Sequence, residues 1–413
     1  MIRIHGGRPL QGTVRAAGSK NAALPAVMAS LLTSEPVVLQ NVPRLLDVDA
    51  AVDLAVALGK EAHWRDSALV LNGGRDLSPE APAALVQRMR ASFLALGPIL
   101  ARLGEGRMPL PGGCAIGPRP VDLHLAGLRR LGASFDVRGG TVHAHASRLR
   151  GASVYLDYPS VGATEQLLLA GALAQGTTTI INPAREPEVV DLGHLLAAMG
   201  APVVWHEDRV AVHGQSSLGG ATHPVIPDRV ETGTYLLAGA ITRGTVTVAG
   251  ARHDHLDALL SKLVEAGADV RVEDDAITVG LGGRPQAVNI QTLPYPGFPT
   301  DLQPPMVSFL STASGRSTAR ETVFSSRFSY VGALARMGAQ VQVTADSVLT
   351  DGVETLHGAE VEATDIRAGA ALVLAALAAE EETEIGGNSH IARGYAHLWD
   401  KLRSLGAEVC VTG

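Results

Sequence analysis

The chain has 413 residues, 46% hydrophobic and only 4% aromatic, so it can bury more than one aliphatic core and is too apolar to be disordered. Its formal net charge of -7, with no run of like charges, excludes nucleic-acid binding by bulk electrostatics, and any anionic ligand must meet a local positive cluster. Two cysteines exclude a disulfide framework; with no apolar leader and no apolar run near the roughly 20 residues of a membrane span, a cytoplasmic location without a membrane is expected.

Read in chain order, two kinds of segment alternate. The first is a helix apolar on nearly every face: KNAALPAVMASLL, RASFLALGPILARL, ATEQLLLAGALAQ, ETGTYLLAGAITR, DLQPPMVSFLSTA and IRAGAALVLAALAA. The second is an amphipathic helix, a Gly-Ala pair and a strand: RRLGASFDV, AAMGAPVVW, VEAGADVRV, ARMGAQVQV and RSLGAEVCV, preceded by the degenerate VALGKEAHW. Its glycines, Gly59, Gly132, Gly200, Gly267, Gly338 and Gly406, are spaced by 73, 68, 67, 71 and 68 residues, so six units make the chain. Glycine there suits a left-handed helix C-cap. Strands such as GTTTIIN, GTVTVAG and the pair in VRVEDDAITVG complete a βαβαββ-like unit.

A helix apolar all round must be surrounded, so one helix of each unit is expected inside and the sheets outside. Six units divide as three and three, with HPVIPDRVE around Pro224 to Pro227 as the linker. The expected domains are 20–226, which carries the cysteine loop, and 1–19 plus 227–413, with the site in the cleft between them.

The interior helices each begin with a small polar or charged segment: GSKN, RMRAS, SVGAT, PDRVET, PTDLQ and ATDIRA. Helix N-termini offer free N–H groups and partial positive charge, so equivalent units would gather them into an anion site. Lys20, Arg90, Arg119, Arg367 and Arg393 add formal charge, and arginine forks suit phosphate and carboxylate alike. Cys114 lies in MPLPGGCAIGPRPVD, too rich in Gly and Pro for a helix or central strand; beside the basic Arg119 an exposed, acidified thiol is expected. Asp228, Glu231, Asp301 and Asp365 sit at matching helix starts, where capping is the default and general-base work the alternative; sequence does not rank them. There is no phosphate-binding P-loop and no dinucleotide fingerprint, and the His253/His255 and His143/His145 pairs fit no standard zinc spacing.

GSKNAALPAVMASLL, NVPRLLDVD, MRASFLALGP, PGGCAIGPRPVDLH, SVGAT, AREPEVVD, PDRVETGTYL, FPTDLQ, ETVFSSRF, ATDIRA and HIARGY occur in order along the whole chain. Together they resemble the UDP-N-acetylglucosamine enolpyruvyl transferases, a branch of the enolpyruvyl transferase family. The resemblance implies a two-domain α/β protein, each domain an inside-out α/β barrel of three repeats. It implies transfer of the enolpyruvyl group of phosphoenolpyruvate to the 3-hydroxyl of UDP-N-acetylglucosamine with release of phosphate, the first committed step of peptidoglycan synthesis. No cofactor or metal is implied, the partners are the two small substrates, and a monomer is expected.

By the same resemblance, Lys20, Arg119 and Arg393 would clamp phosphoenolpyruvate, with Arg90 and Arg367 in support. Asp301 would accept the hydroxyl proton, and Cys114 would serve as acid at the methylene carbon or aid product release. Asn21, Arg119, Pro120, Val121, Asp122, Leu123, Ser160, Val161, Gly162 and Val323 would hold the nucleotide sugar. The resemblance also implies alkylation of Cys114 by fosfomycin. One position departs from it: Leu46 stands where many members of the family carry Lys. A sister transferase acting on shikimate phosphate, or an inactive regulatory paralogue, are the competing readings.

Overall fold

Six β-sheets carry the fold, one for each repeat, in a computed structural model that describes residues 1–111 and 121–412. The third repeat shows the plan in full. Ser153–Tyr155 lies parallel to Thr177–Ile181, with the helix Val161–Gly171 between them in sequence. The helix Pro187–Ala198 then leads to Val203–Trp205 and Arg209–His213, which close the sheet with antiparallel pairings. The fifth repeat follows the same order through Ile290–Gln291, Arg316–Arg320, Gln340–Val343 and Ser347–Asp351.

Reading the repeat linearly hides three exchanges of strands. Ala221–Pro224 supplies the parallel edge of the first sheet, with Ala221 opposite Val37. Gln11–Arg15 does the same for the fourth, beside Thr245–Ala249. Ile2–His5 enters the sixth sheet between Glu382–Gly386 and Glu408–Val411, antiparallel to both. Among the described residues the second sheet has three strands, and its parallel edge is reduced to one bridge from Glu80 to Arg107.

The chain divides into two compact units, residues 18–111 with 121–226, and residues 1–17 with 227–412. Each holds three of the sheets. In the first, Leu96–Leu103 packs on Val161–Gly171, and the short 3-10 segments Ser30–Leu32 and Arg90–Ala95 join Lys20–Ala29 to that pair. In the second, Arg229–Ile241, Gln303–Leu310 and Ile366–Ala378 pack on one another. Lys20–Ala29 buries every residue but Asn21, and Gln303–Leu310 buries all of them, as helices apolar all round require. The sheets bury one face against these helices; Val246 and Val248 in Thr245–Ala249 are fully buried while Thr245 is exposed. Each such aliphatic side chain contributes roughly 1.5–3 kcal/mol.

The Gly-Ala pairs end their helices as the pattern predicts. All six glycines have φ between 88° and 111°. At Pro187–Ala198 the Gly200 N–H donates to the Ala197 carbonyl at 3.0 Å and the Ala201 N–H to the Leu196 carbonyl at 2.9 Å. This paired closure satisfies carbonyls that the helix end would leave without partners, and a side chain at Gly200 would force a backbone that L-residues rarely adopt.

Candidate active site

In the first unit, Ser19 caps Lys20–Ala29, its Oγ accepting from the Ala22 N–H at 3.4 Å. The cap fixes Lys20 in the first turn, where Nζ donates to Asp47 Oδ2 at 3.2 Å; both side chains are less than a tenth exposed. Asp47 lies in the first turn of Leu46–Ala57, where the helix dipole favours its charge. Leu46, beside it, is half exposed. Asn21 is half-buried.

Arg90 opens the 3-10 helix Arg90–Ala95, Asp122 opens Asp122–Arg130 just after Val121, and Ser160 caps Val161–Gly171 through the Ala163 N–H at 3.3 Å. These three starts converge on His124. Its ring meets Phe93 edge-on with centroids 5.6 Å apart, and a Cβ at Gly162 would come within 2.9 Å of His124 Cε1. Gly162 is therefore what lets the Ser160–Gly162 segment approach. Burial lowers the His124 pKa to about 4; a Gln166 hydrogen bond raises it, the Arg90 charge lowers it, and Asp122 raises it. The imidazole is neutral at pH 7, a hydrogen-bonding group rather than a cation.

In the second unit the four candidate carboxylates take three different roles. Asp228 and Asp365 are caps: Asp228 Oδ1 accepts from the Val230 and Glu231 N–H groups, and Asp365 Oδ1 from those of Arg367 and Ala368. Glu231 accepts from the Ala17 N–H at 2.7 Å and from Lys401 Nζ at 2.6 Å, and its burial raises its pKa in spite of that lysine. Asp301 is not at the N-cap position its place in the sequence suggested; it lies inside the 3-10 turn Thr300–Leu302, whose N-cap is Pro299.

Instead, Asp301 Oδ1 accepts from Arg327 Nη1 and Oδ2 from Arg367 Nη2, both at 2.7 Å. The two guanidinium side chains are each 6% exposed and the Asp301 side chain 23%, so a reachable carboxylate rests on buried cations. Burial opposes the Arg367 charge, yet Asp301, Tyr395 and Asp228 outweigh it and raise the Arg367 pKa. Arg367 Nη1 donates to Tyr395 Oη at 3.2 Å, which in turn meets Thr234 Oγ1 at 3.1 Å. That bond ties the segment of Arg393 to Arg367. Arg393 is half-buried and ends the short helix Asn388–Ala392, unlike Lys20, Arg90 and Arg367, which stand at helix starts. Val323, half-buried, donates its N–H to Glu321 Oε1 at 2.8 Å.

Cys114, Arg119 and Pro120 lie outside the described residues. Asp47, His124, Glu321 and Arg327 were not singled out from sequence; three of them stand inside the quoted motifs NVPRLLDVD, PGGCAIGPRPVDLH and ETVFSSRF, and Glu321 opens the last of these. Among the described residues no group of three or more His, Cys, Asp or Glu side chains is placed to hold a metal, and no helix is long and apolar enough to cross a membrane.

Each unit thus packs interior helices against sheets, and the second sets an arginine-held carboxylate beside capped helix starts. Residues 4–402 match the EPSP synthase (3-phosphoshikimate 1-carboxyvinyltransferase) family, and the chain belongs to it. It is 47% identical over 409 residues to UDP-N-acetylglucosamine 1-carboxyvinyltransferase 2 of Carboxydothermus hydrogenoformans, covering 98% of each chain. It is 47% identical over 411 residues to UDP-N-acetylglucosamine 1-carboxyvinyltransferase of Salmonella arizonae, covering 99% of this chain and 98% of that one. The crystal structure of the enolpyruvyl transferase NikO from Streptomyces tendae superposes with a TM-score of 0.91 at 28% identity, over 99% of this chain and 98% of the other. EPSP synthase from Acinetobacter baumannii shares the fold, with a TM-score of 0.77 at 19% identity over 99% of both chains.

Proposed function

We propose that the chain transfers the enolpyruvyl group of phosphoenolpyruvate to the 3-hydroxyl of UDP-N-acetylglucosamine and releases phosphate, the first committed step of peptidoglycan synthesis. The observation that carries this reading is the Asp301 carboxylate, reachable and fixed at both oxygens by buried Arg327 and Arg367. The near-full-length identity to 1-carboxyvinyltransferases that act on UDP-N-acetylglucosamine supports the same acceptor.

In this reading Asp301 accepts the 3-hydroxyl proton as the sugar oxygen bonds to C2 of phosphoenolpyruvate, while a proton is delivered to C3. The resulting tetrahedral adduct loses phosphate as a proton leaves C3, restoring the double bond in the enolpyruvyl ether. Two buried guanidinium groups hold Asp301 at both oxygens and so aim it, as a positioned general base requires. Lys20, Arg119 and Arg393 hold the phosphate and carboxylate of phosphoenolpyruvate, Arg90 and Arg367 support them, and Cys114 is the acid at C3 or assists release. Asn21, Arg119 to Leu123, Ser160 to Gly162 and Val323 hold the nucleotide sugar. The enzyme is a cytoplasmic monomer that uses no cofactor.

The test is mass spectrometry of the products formed from phosphoenolpyruvate with UDP-N-acetylglucosamine, or with shikimate 3-phosphate, as acceptor. An enolpyruvyl adduct of the nucleotide sugar alone supports the reading. An adduct of shikimate phosphate, or of neither, refutes it.

A further inference from the structure

Glu321 has no assigned part in this chemistry, yet it is 2% exposed and accepts four hydrogen bonds. Oε1 takes the Val323 N–H at 2.8 Å, the Phe324 N–H at 2.9 Å and Thr292 Oγ1 at 2.8 Å. Oε2 takes Thr300 Oγ1 at 2.9 Å. That hydroxyl accepts in turn from Arg327 Nη1 at 2.9 Å, and the same nitrogen donates to Asp301 Oδ1. A second link runs through the ring of Phe324, whose centroid is 4.9 Å from Arg327 Cζ. One buried carboxylate thus fixes a main-chain turn on one oxygen and the arginine that holds Asp301 on the other.

We propose that Glu321 is a positioning residue that sets the Val323–Phe324 turn and the Asp301–Arg327 pair in one register, coupling the seating of the sugar nucleotide to the aim of the accepting carboxylate. The inference rests on the reading above for the acceptor and for the part of Val323. It follows from the bond inventory: Oε1 is held by three donors and Oε2 by the Thr300 hydroxyl that also meets Arg327, so a shift of the turn is transmitted through Thr300 to Arg327.

The experiment is steady-state kinetics of the full chain, with wild type, Glu321→Ala, Glu321→Gln and Thr300→Val compared for both substrates, and with thermal midpoints recorded. Glu321→Ala is expected to raise the KM for UDP-N-acetylglucosamine about tenfold or more and lower kcat, with the KM for phosphoenolpyruvate changing less than about twofold. Glu321→Gln keeps an acceptor for the turn and should recover most of the KM. Thr300→Val cuts only the link to Arg327 and should lower kcat with little change in either KM. A wild type active on both substrates, with Glu321→Ala shifting both KM values alike or changing only the thermal midpoint, overturns this inference alone. A wild type inert toward UDP-N-acetylglucosamine overturns the acceptor assignment and this inference with it.

Discussion

Arg367 holds Oδ2 of Asp301 through Nη2 at 2.7 Å, and this bond spans 66 residues of sequence. Asp301→Asn removes the charge and presents an amide N–H₂ to one of the two guanidinium groups. A fall in kcat of about 10²–10⁴-fold is expected, as for loss of a general base. A loss of about 1–3 kcal/mol of stability should accompany it, from the donor left unmatched. Turnover rates and urea midpoints of wild type and variant check both; near-wild-type kcat would remove Asp301 from the proton transfer.

Arg367→Lys keeps a positive charge but lacks the fork that reaches Asp301 and Tyr395 together. A loss in kcat/KM of about tenfold or more is expected, because Asp301 loses the guanidinium that holds its Oδ2. Tyr395→Phe removes only the second contact and should cost less. Equal losses in the two variants would mean that Asp301 is held without Arg367.

Lys401→Met removes the ammonium that donates to the buried Glu231 Oε1 at 2.6 Å, and a buried charge deprived of its partner in this way costs about 3–5 kcal/mol. Burial already raises the Glu231 pKa. For a carboxyl raised in the folded state, protonation favours folding, so the variant should regain stability as pH falls below 7, by a larger margin than wild type. Denaturation midpoints from pH 7 to 5 give the comparison.

His124 has the opposite sign. Its pKa is lowered from 6.5 to about 4, so its contribution to stability is complete above pH 6.5 and is lost as pH falls toward 4. That difference amounts to roughly 3 kcal/mol. His124→Gln should show a shallower loss of stability between pH 6.5 and 4 than wild type, measured by urea titration. Parallel curves would mean that His124 takes up its proton as readily in the folded protein as in the unfolded chain.

Fosfomycin is expected to alkylate Cys114 and to leave the exposed Cys410 unmodified, which makes Cys410 an internal control. Peptide mass spectrometry after incubation with the nucleotide sugar reads this directly. Modification of Cys410 alone, or of neither thiol, contradicts the part given to Cys114.

Much of the architecture was legible in the sequence because it is local. Gly200 marks its own helix end, and a helix such as Gln303–Leu310, apolar on every face, can only be interior. The strand exchanges were not legible, because nothing near Ile2–His5 announces that its partners are Glu382–Gly386 and Glu408–Val411. The site divides in the same way. Lys20, Asp301 and Arg367 stand at helix starts in recognisable motifs, but their partners are distant in sequence: Asp47 is 27 residues from Lys20 and Arg327 is 26 from Asp301. Helix-start position likewise gave Asp228, Glu231, Asp301 and Asp365 one shared default, and only packing separates two caps, a lysine partner and an arginine-held carboxylate.

The most direct test of enolpyruvyl transfer is phosphate release from phosphoenolpyruvate by the purified chain, with and without UDP-N-acetylglucosamine. Release that requires both substrates is the expected result. Saturable binding of the nucleotide sugar without any release would contradict the transferase assignment and leave a protein that binds the substrate without turning it over.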